Sequence, residues 1–309
     1  MATSSRKDDI KSSNYASILL SASMTAVTHP VQMTKVMIQV GYEPVAPTPY
    51  NTVFGKQMFK LPGLFTYASI IYHKDGVTGL FRGVTPRILA AVLSSAVNTS
   101  IQQKFHSDEP KSDDQVEQTS QPEVSLEEFA KETCYQSVSR AASTIVTYPL
   151  QVISIRMIVQ FVGRETKYTG ILQSFREIYN EEGISGLFAG IIPQLIGDIL
   201  TLWIFRGLTF CVNKAVTAEI GEFKDVRIYT QQASHIIVSS LTYPFVLVAN
   251  LMAVNKCRLL GTSKLPTFDS WTHCWRVLRQ HNLMWRGSSV FRRTSNTAIA
   301  GPLTLRELK

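Results

Sequence analysis

The sequence lacks most of the features on which soluble enzymes and disulfide scaffolds depend. Only four cysteines occur in 309 residues, and charged residues make up 17% of the chain. An average soluble protein has about 25% charged residues. No CxxC pair is present, so the thiols are expected to be buried in a reducing compartment without a metal. Because no Ser-His-Asp arrangement, phosphate-binding loop or dinucleotide motif occurs either, we expect neither enzymatic activity nor a cofactor.

The charge that is present is distributed unevenly around a net value of +8. Eight acids and one base lie between His106 and Glu128, which predicts a solvated acidic linker over residues 106–125. Elsewhere the basic residues are scattered and flank apolar stretches, as they do at a membrane surface. They form no zinc-finger spacing, RNA-binding motif or long basic run, so no nucleic acid is expected as a partner. Acids occur early in the chain without an Arg-rich amphipathic helix, so no cleaved transit peptide is expected.

Long stretches without charge are few. Residues 12–34 and 228–255, of 23 and 28 residues, contain no Asp, Glu, Lys or Arg. Each exceeds the roughly 20 residues that a helix needs to cross a bilayer. Shorter or interrupted candidates occupy residues 88–103, 141–155 and 191–212. Hydropathy alone therefore indicates two spans and leaves three segments that could also be core helices of a soluble protein.

An internal repeat defines the organisation of the chain. A Thr-aromatic-Pro triplet, with histidine as the ring in the first copy, occurs three times at intervals of 119 and 95 residues. The three copies end at Pro30, Pro149 and Pro244. A second motif, acid-Gly followed by aromatic-x-Gly, runs from Asp75 to Gly83 and from Glu182 to Gly190, with a worn third copy at Trp285-Arg286-Gly287. Two motifs recurring in the same order predict three related units.

Each unit has the same physical plan. A long helix is kinked by its proline, which removes one backbone hydrogen bond. An amphipathic segment follows, then a turn, then a second helix whose first turn contains a proline. The predicted boundaries are a tail over residues 1–13, units over 14–105, 126–216 and 226–309, and the acidic linker between the first two units.

These motifs carry a family resemblance. Proline followed by an acid at +2, a base at +5, Arg at +7 and Gln at +9, and later by acid-Gly and aromatic-base-Gly, is the signature of the mitochondrial carrier family. The chain resembles that family over its full length, and within it the mitochondrial carrier homologue branch. The strings that support the branch begin at Ile38 (IQVGYEP), Leu61 (LPGLF), Gln160 (QFVGRE) and Tyr243 (YPFVLV).

The chain departs from the family pattern at the gate. In transporting carriers the acids and bases after the three prolines form a ring of salt bridges that closes one side. The acid positions here hold Gln32, Gln151 and Val246, and of the base positions only Lys35 keeps its charge. A ring without acids has no ion pairs, so alternating access by this means is not expected.

A second departure concerns the last helix. After Gly287 only 22 residues remain, and their longest uncharged run, residues 294–305, contains Gly301 and Pro302. This run is too short to span a bilayer. The sequence therefore predicts an all-α membrane protein, a carrier-like threefold bundle with five spanning helices, no sixth helix and a polar groove open sideways to lipid.

The resemblance also implies a function and a location. The mitochondrial carrier homologues are outer-membrane insertases for α-helical proteins, with lipid-scrambling activity and a link to apoptotic signalling. The expected partners are thus membrane lipids, tail-anchored and other helical clients, and apoptotic regulators, for a multi-pass protein of the mitochondrial outer membrane. An inner-membrane solute carrier and a receptor or scaffold that recruits cytosolic partners are the alternatives.

Polar side chains in or beside the spans are the candidates for the substrate path. They are Lys35, Asp198, Arg140, Arg156, Arg206, Gln32, Gln151, His235, Asn250 and Asn255. Lys35 and Asp198 are favoured, the alternative being a buried ion pair that only fixes packing. Arginines at helix ends could instead extend to the membrane interface, and His235 could make an interhelical hydrogen bond. A structural role is predicted for the repeat signature: Pro30, Pro149, Pro244, Asp75, Gly83, Glu182 and Gly190.

Overall fold

Long helices bent at prolines organise the molecule. The computed structural model describes residues 2–51, 55, 57–106, 126–219, 224–262, 265–291 and 293–295. The helices are α1 (Ala2–Gln39), α2 (Leu64–Leu80), α3 (Val84–His106), α4 (Leu126–Gly163), α5 (Ile171–Glu182), α6 (Ile184–Leu187), α7 (Ile191–Glu219), α8 (Lys224–Ala253) and α9 (Trp271–Gln280). Pro30, Pro149 and Pro244 lie inside α1, α4 and α8.

The bent helices alternate with straight ones around the bundle. α3 packs between α1 and α4, and α7 packs between α4 and α8. Hydroxyl groups join these neighbours, since Ser94 and Ser143 lie 2.7 Å apart across α3 and α4, and Thr201 donates to Thr242 at 2.9 Å across α7 and α8. Small polar residues at such contacts let helix backbones approach closely in a membrane.

The ring that precedes each helix proline is held in the same way in all three units. The hydroxyl of Tyr148 donates to the carbonyl of Ala189, and that of Tyr243 donates to the carbonyl of Arg286. In the first unit the ring is histidine, and its Nε2 lies 2.9 Å from the carbonyl oxygen of Arg82. Since a carbonyl only accepts, Nε2 carries the proton. Each ring also stacks on the aromatic residue of the following motif, at 6.3–6.5 Å between centroids.

The turns between paired helices explain the glycines of the repeat. Gly76, at a kink inside α2, and Gly183, between α5 and α6, have φ of 69° and 70°, while Gly83, Gly190 and Gly287 have φ of 82°, 90° and 79°. Residues with a Cβ rarely adopt such angles. At Gly190 an added Cβ would also lie 2.6 Å from the carbonyl oxygen of Ala249. The repeat therefore fixes backbone geometry at these turns.

The bent helices converge on an apolar core near their C-terminal ends. Met33 and Met37 of α1, Ile153 of α4, and Leu247 and Val248 of α8 are fully buried there. Among the side chains that the structure describes, no ion pair links α1, α4 and α8 to one another. Hydrophobic packing thus closes the end at which a salt-bridge ring would otherwise stand.

A three-stranded antiparallel sheet joins the first unit to the end of the third. β1 (Thr48–Asn51) pairs with β2 (Gln57–Leu61), and β2 pairs with β3 (Arg293–Ser295). The backbone amide of Leu64 donates to the carbonyl of Val290 at 2.9 Å, and Arg293 forms a buried ion pair with Glu43. Helices begin directly after Gly83 and Gly190, but after Gly287 the chain turns into this sheet. Residues 296–309 lie outside the described residues.

Helices long and apolar enough to cross a membrane support only part of the predicted span count. Leu126–Gly163, Ile184–Val212 and Gln232–Ala253 qualify singly, and Leu64–Leu80 with Val84–Ile101 qualify together as a pair bent by 46°. The segment at residues 12–34 lies in α1, which is not among them. α1 begins at Ala2, so it includes part of the range expected to be a tail. The unit boundaries stay predictions, and residues 107–125 of the acidic linker lie outside the described residues.

Candidate binding cavity and lateral slot

The long helices enclose a polar cavity of about 330 Å³. All five long helices α1, α3, α4, α7 and α8 contribute to it. Its lining is Thr25, Gln32, Lys35, Val36, Arg87, Ala90, Ala91, Ser94, Arg140, Ser143, Thr144, Thr147, Gln151, Ser154, Ile155, Gln194, Asp198, Val246 and Asn250. Small-molecule sites in proteins start at about this size, roughly 300 Å³.

Six of the side chains proposed from sequence lie together in this lining. They are Gln32, Lys35, Arg140, Gln151, Asp198 and Asn250. Gln32 and Gln151 stand at two of the gate positions that would carry acids in a transporting carrier. Amides at these positions keep the cavity polar without supplying a charge.

The other four candidates lie outside this lining, and each has other contacts. Arg156 is fully buried and donates to the carboxylate of Glu182 at 2.6 and 2.8 Å. Arg206 pairs with Glu132 at 2.7 Å. The exposed ring of His235 contacts Phe205, with centroids 6.0 Å apart.

Asn255 is the fourth of these residues. It lies beyond the end of α8, where its amide donates to the carbonyl of Phe268 at 2.6 Å and its oxygen accepts from the amide of Phe268 at 2.8 Å. This pair of bonds fixes a loop, so both polar atoms of the side chain are already used.

Asp198 is held by the wall of the cavity on which it lies. Its carboxylate accepts from Thr144 at 2.8 Å and from Gln194 at 3.2 Å, and it lies 3.6 Å from the guanidinium of Arg140. The partner of Asp198 is therefore Arg140, across α4 and α7. An ion pair between Lys35 and Asp198 is not formed.

Lys35 and Arg87 form the opposite, cationic wall. The Nζ of Lys35 lies 5.0 Å from the centre of the Tyr243 ring, a cation–π distance. Sequence reasoning missed Arg87, which follows Pro86 in the first turn of α3. The repeat could have indicated it. Gln194 follows Pro193 at the corresponding position of α7, and it also lines the cavity.

Gln39 bridges α1 and α8 at one end of the cavity. Its amide nitrogen donates to the hydroxyl of Tyr243 at 3.0 Å, and its oxygen accepts from Asn250 at 2.7 Å. Gln39 is the +9 residue of the family signature. The described hydrogen bonds between α1 and α8 both involve this side chain, so the two helices are joined by them at their C-terminal ends only.

Towards their N-terminal ends, α1 and α8 carry exposed surfaces. Comparison with the corresponding positions of α4 shows that these surfaces are ones against which a straight helix packs in the second unit. Ten and six residues before the helix proline, α4 carries Ser139 and Ser143, which are 8% and 2% exposed against α3. The corresponding residues of α1, Leu20 and Met24, are 65% and 57% exposed. The face of α4 that packs against α3 thus corresponds on α1 to a face against which no helix packs in the described part of the chain.

The complementary face of α8 is also uncovered. Eight and five residues before its proline, α4 carries Ala141 and Thr144, which are half-buried and buried against α7. At the same positions in α8, Ile236 is 67% exposed and Ser239 is exposed. We call these exposed surfaces, with Leu20 and Met24 on α1 and Ile236 and Ser239 on α8, the lateral slot, since no element that the structure describes covers them.

The fold and the repeat define a class of protein, a membrane-embedded carrier-like bundle. The family model described as mitochondrial carrier protein matches residues 11–107 and 126–217. The chain belongs to the mitochondrial carrier family, and with its apolar helices it is a mitochondrial membrane protein.

Individual relatives refine this assignment. The chain is 43% identical to mitochondrial carrier homolog 2 of Bos taurus over 279 residues, covering 89% of this chain and 92% of the relative. It is 39% identical to mitochondrial carrier homolog 1 of Mus musculus over 300 residues, covering 90% and 76%. Similarity to mitochondrial nicotinamide adenine dinucleotide transporter 1 of Saccharomyces cerevisiae is 28% over 141 residues, covering 44% and 34%. The resemblance to the carrier homologue branch is thereby confirmed.

Proposed function

We propose that this protein inserts α-helical membrane proteins, tail-anchored proteins among them, into the mitochondrial outer membrane, and that its polar cavity also lets lipid headgroups cross. In this proposal α1, α3, α4, α7 and α8 span the bilayer and no sixth helix closes the ring. The lateral slot is the observation that carries the proposal. It occupies the position at which the preceding and following straight helices pack on α4, and it lies beside the polar cavity.

The physical basis is a lower cost of moving polar groups through hydrocarbon. A charged side chain at the centre of a bilayer costs about 2.5–3.5 kcal/mol on insertion scales. The cavity supplies hydroxyls, amides and charges at that depth, while the walls of the slot offer Leu20, Met24 and Ile236 to an apolar helix. A client can thus keep its polar end in the cavity while its apolar segment passes through the slot into lipid.

The same geometry supports lipid scrambling. A headgroup needs a hydrated path while its acyl chains stay in the hydrocarbon, and a polar cavity with a lateral slot provides both. The apolar packing at the C-terminal ends of α1, α4 and α8 disfavours a solute carrier. To release a solute at that end, the protein would have to separate this core, and no ion pairs are available to compensate for the lost contacts.

Insertion by the purified protein, mapped with a photo-crosslinker, tests the proposal. A benzoyl-phenylalanine placed at Met24 or Ile236 is expected to crosslink to the hydrophobic helix of a tail-anchored client in proteoliposomes. The same probe at Val138, which is 62% exposed but lies on α4 outside the slot, is the matched control.

Each alternative function gives a different result in this system. Equal crosslinking at Val138 and Met24 would contradict the proposal that clients pass through the lateral slot. No insertion above protein-free liposomes would favour a scaffold, and solute counterflow in the same vesicles would favour a carrier.

A further inference from the structure

The charges that line the cavity do not balance. Among the residues that the structure describes, the lining contains three cationic residues, Lys35, Arg87 and Arg140, and one carboxylate, Asp198. Asp198 is already held by Arg140, Thr144 and Gln194 on the wall formed by α4 and α7. The excess positive charge therefore lies on the opposite wall, on α1 and α3.

Neither cation on that wall is neutralised by an acid in the described part of the chain. Among the side chains that the structure describes, Lys35 and Arg87 form no ion pair. The acids that could have paired with Lys35 are replaced by Gln32, Gln151 and Val246. Lys35 and Arg87 are half-buried, stand on the neighbouring helices α1 and α3, and line the same cavity. Holding two half-buried like charges together is unfavourable unless an anion neutralises them.

We infer that Lys35 and Arg87 bind the phosphate of a phosphate ester at this wall of the cavity. A guanidinium binds phosphate oxygens bidentately, and a lysine ammonium adds a compact charge. Two convergent cations suit a group with two or more anionic oxygens better than a single carboxylate. Gln32 and Ser94 belong to the same wall and offer further hydrogen bonds to the ester.

The phosphate could belong to a lipid headgroup or to a soluble phosphate compound. The lateral slot would admit the first, whereas the second would enter from the aqueous phase. The inference deepens the proposed function, in which lipids reach the cavity. Phosphate binding is measured without a client protein, so the two proposals are tested separately. Absence of insertion would not contradict the phosphate site, and absence of phosphate binding would not contradict insertion.

Binding to the full-length protein in a neutral detergent tests the site. Three probes are titrated by thermophoresis in phosphate-free buffer: dioctanoyl phosphatidic acid, inorganic phosphate, and dioctanoyl glycerol, which has the same acyl chains and no phosphate. We expect saturable binding of phosphatidic acid and none of dioctanoyl glycerol. Inorganic phosphate competing at similar concentration would identify a soluble ligand, and phosphatidic acid binding without such competition would identify a headgroup.

Variants assign the binding to the two cations. Lys35→Gln and Arg87→Gln are each expected to weaken binding by about tenfold or more, as loss of a charged hydrogen bond does. Lys35→Arg keeps the charge and should retain binding. Arg279→Gln removes an exposed charge on α9, outside the cavity, and should have no effect. Unchanged affinity in both glutamine variants, or equal binding of dioctanoyl glycerol, would overturn the inference.

Discussion

Arg156 donates to both carboxylate oxygens of Glu182, at 2.6 and 2.8 Å, while its Nε donates to the carbonyl of Ala253 at 2.9 Å. One guanidinium thus ties α4 to α5 within the second unit and to the end of α8 in the third. The arginine side chain is fully buried and the glutamate nearly so. Substitution of either partner leaves an uncompensated buried charge.

Glu182→Gln should therefore be strongly destabilising. Breaking a buried ion pair by removing one partner typically costs about 3–5 kcal/mol. The neighbouring Glu181 provides a matched control, because it pairs with Lys167 at 2.6 Å in a partly exposed position. An exposed pair contributes about 0–1 kcal/mol, so Glu181→Gln should change little. The free energy of unfolding in detergent measures both, and similar losses in the two variants would contradict the structural role of Arg156.

Removing the hydroxyl of Tyr148 should weaken the attachment of the second unit's turn. Tyr148→Phe leaves the ring stacked on Phe188 but removes the donor to the carbonyl of Ala189. A loss of about 1 kcal/mol is expected, since the carbonyl is left without this partner. Tyr179→Phe, at an exposed ring on α5, is the control. Thermal unfolding in detergent distinguishes them, and equal midpoints for the two variants would argue against the repeated hydrogen bond.

Asp198→Arg should reduce insertion of a tail-anchored client into proteoliposomes. The substitution leaves Arg140 without its carboxylate and adds a further arginine, so four cations of the cavity lining then lack an acidic partner among the described residues. Asp269→Arg makes the same charge change at an exposed carboxylate outside the cavity and should leave insertion near the unmodified rate. The rate of protease protection of the client measures insertion. A folded Asp198→Arg protein with an unchanged rate would exclude Asp198 from the path.

The four thiols should differ in alkylation. Burial raises the pKa of Cys274 on α9 to about 12. At pH 8 about one such thiol in ten thousand is a thiolate, and the thiolate is the reactive form. Cys257 is buried like Cys274, but Cys134 and Cys211 are exposed, so the expectation from sequence that the thiols are buried is wrong for these two. Mass spectrometry after maleimide treatment should find Cys134 and Cys211 labelled, with all four labelled in SDS. Native labelling of Cys274 as fast as Cys134 would contradict the packing of α9.

Much of this architecture follows from local sequence. Prolines, turn glycines and rings recur at fixed offsets, and each sets a backbone or stacking geometry that does not depend on distant residues. The sequence likewise predicts that Lys35 and Asp198 lie on a polar path, because charged side chains within apolar helices require polar surroundings.

The pairing of these charges could not be read from the sequence. Whether Asp198 faces Lys35 or Arg140 depends on helix rotation and packing across units. Arg156 illustrates the same limit. It lies five residues past Gln151, about 140° around α4, so helical periodicity separates it from the cavity face but does not identify Glu182 of α5 as its partner. The sheet was also missed, because β2 and β3 are more than 200 residues apart and Arg293–Ser295 is too short to carry a strand pattern.

The sheet between β2 and β3 sets an order of assembly during synthesis. The loop of the first unit can complete its pairing only after residues 293–295 have left the ribosome, when nearly the whole chain has been made. Until then Glu43 lacks Arg293 and the amide of Leu64 lacks the carbonyl of Val290. The first unit made is thus among the last to be finished, and a chain truncated before β3 would leave its beginning unfinished as well as its end.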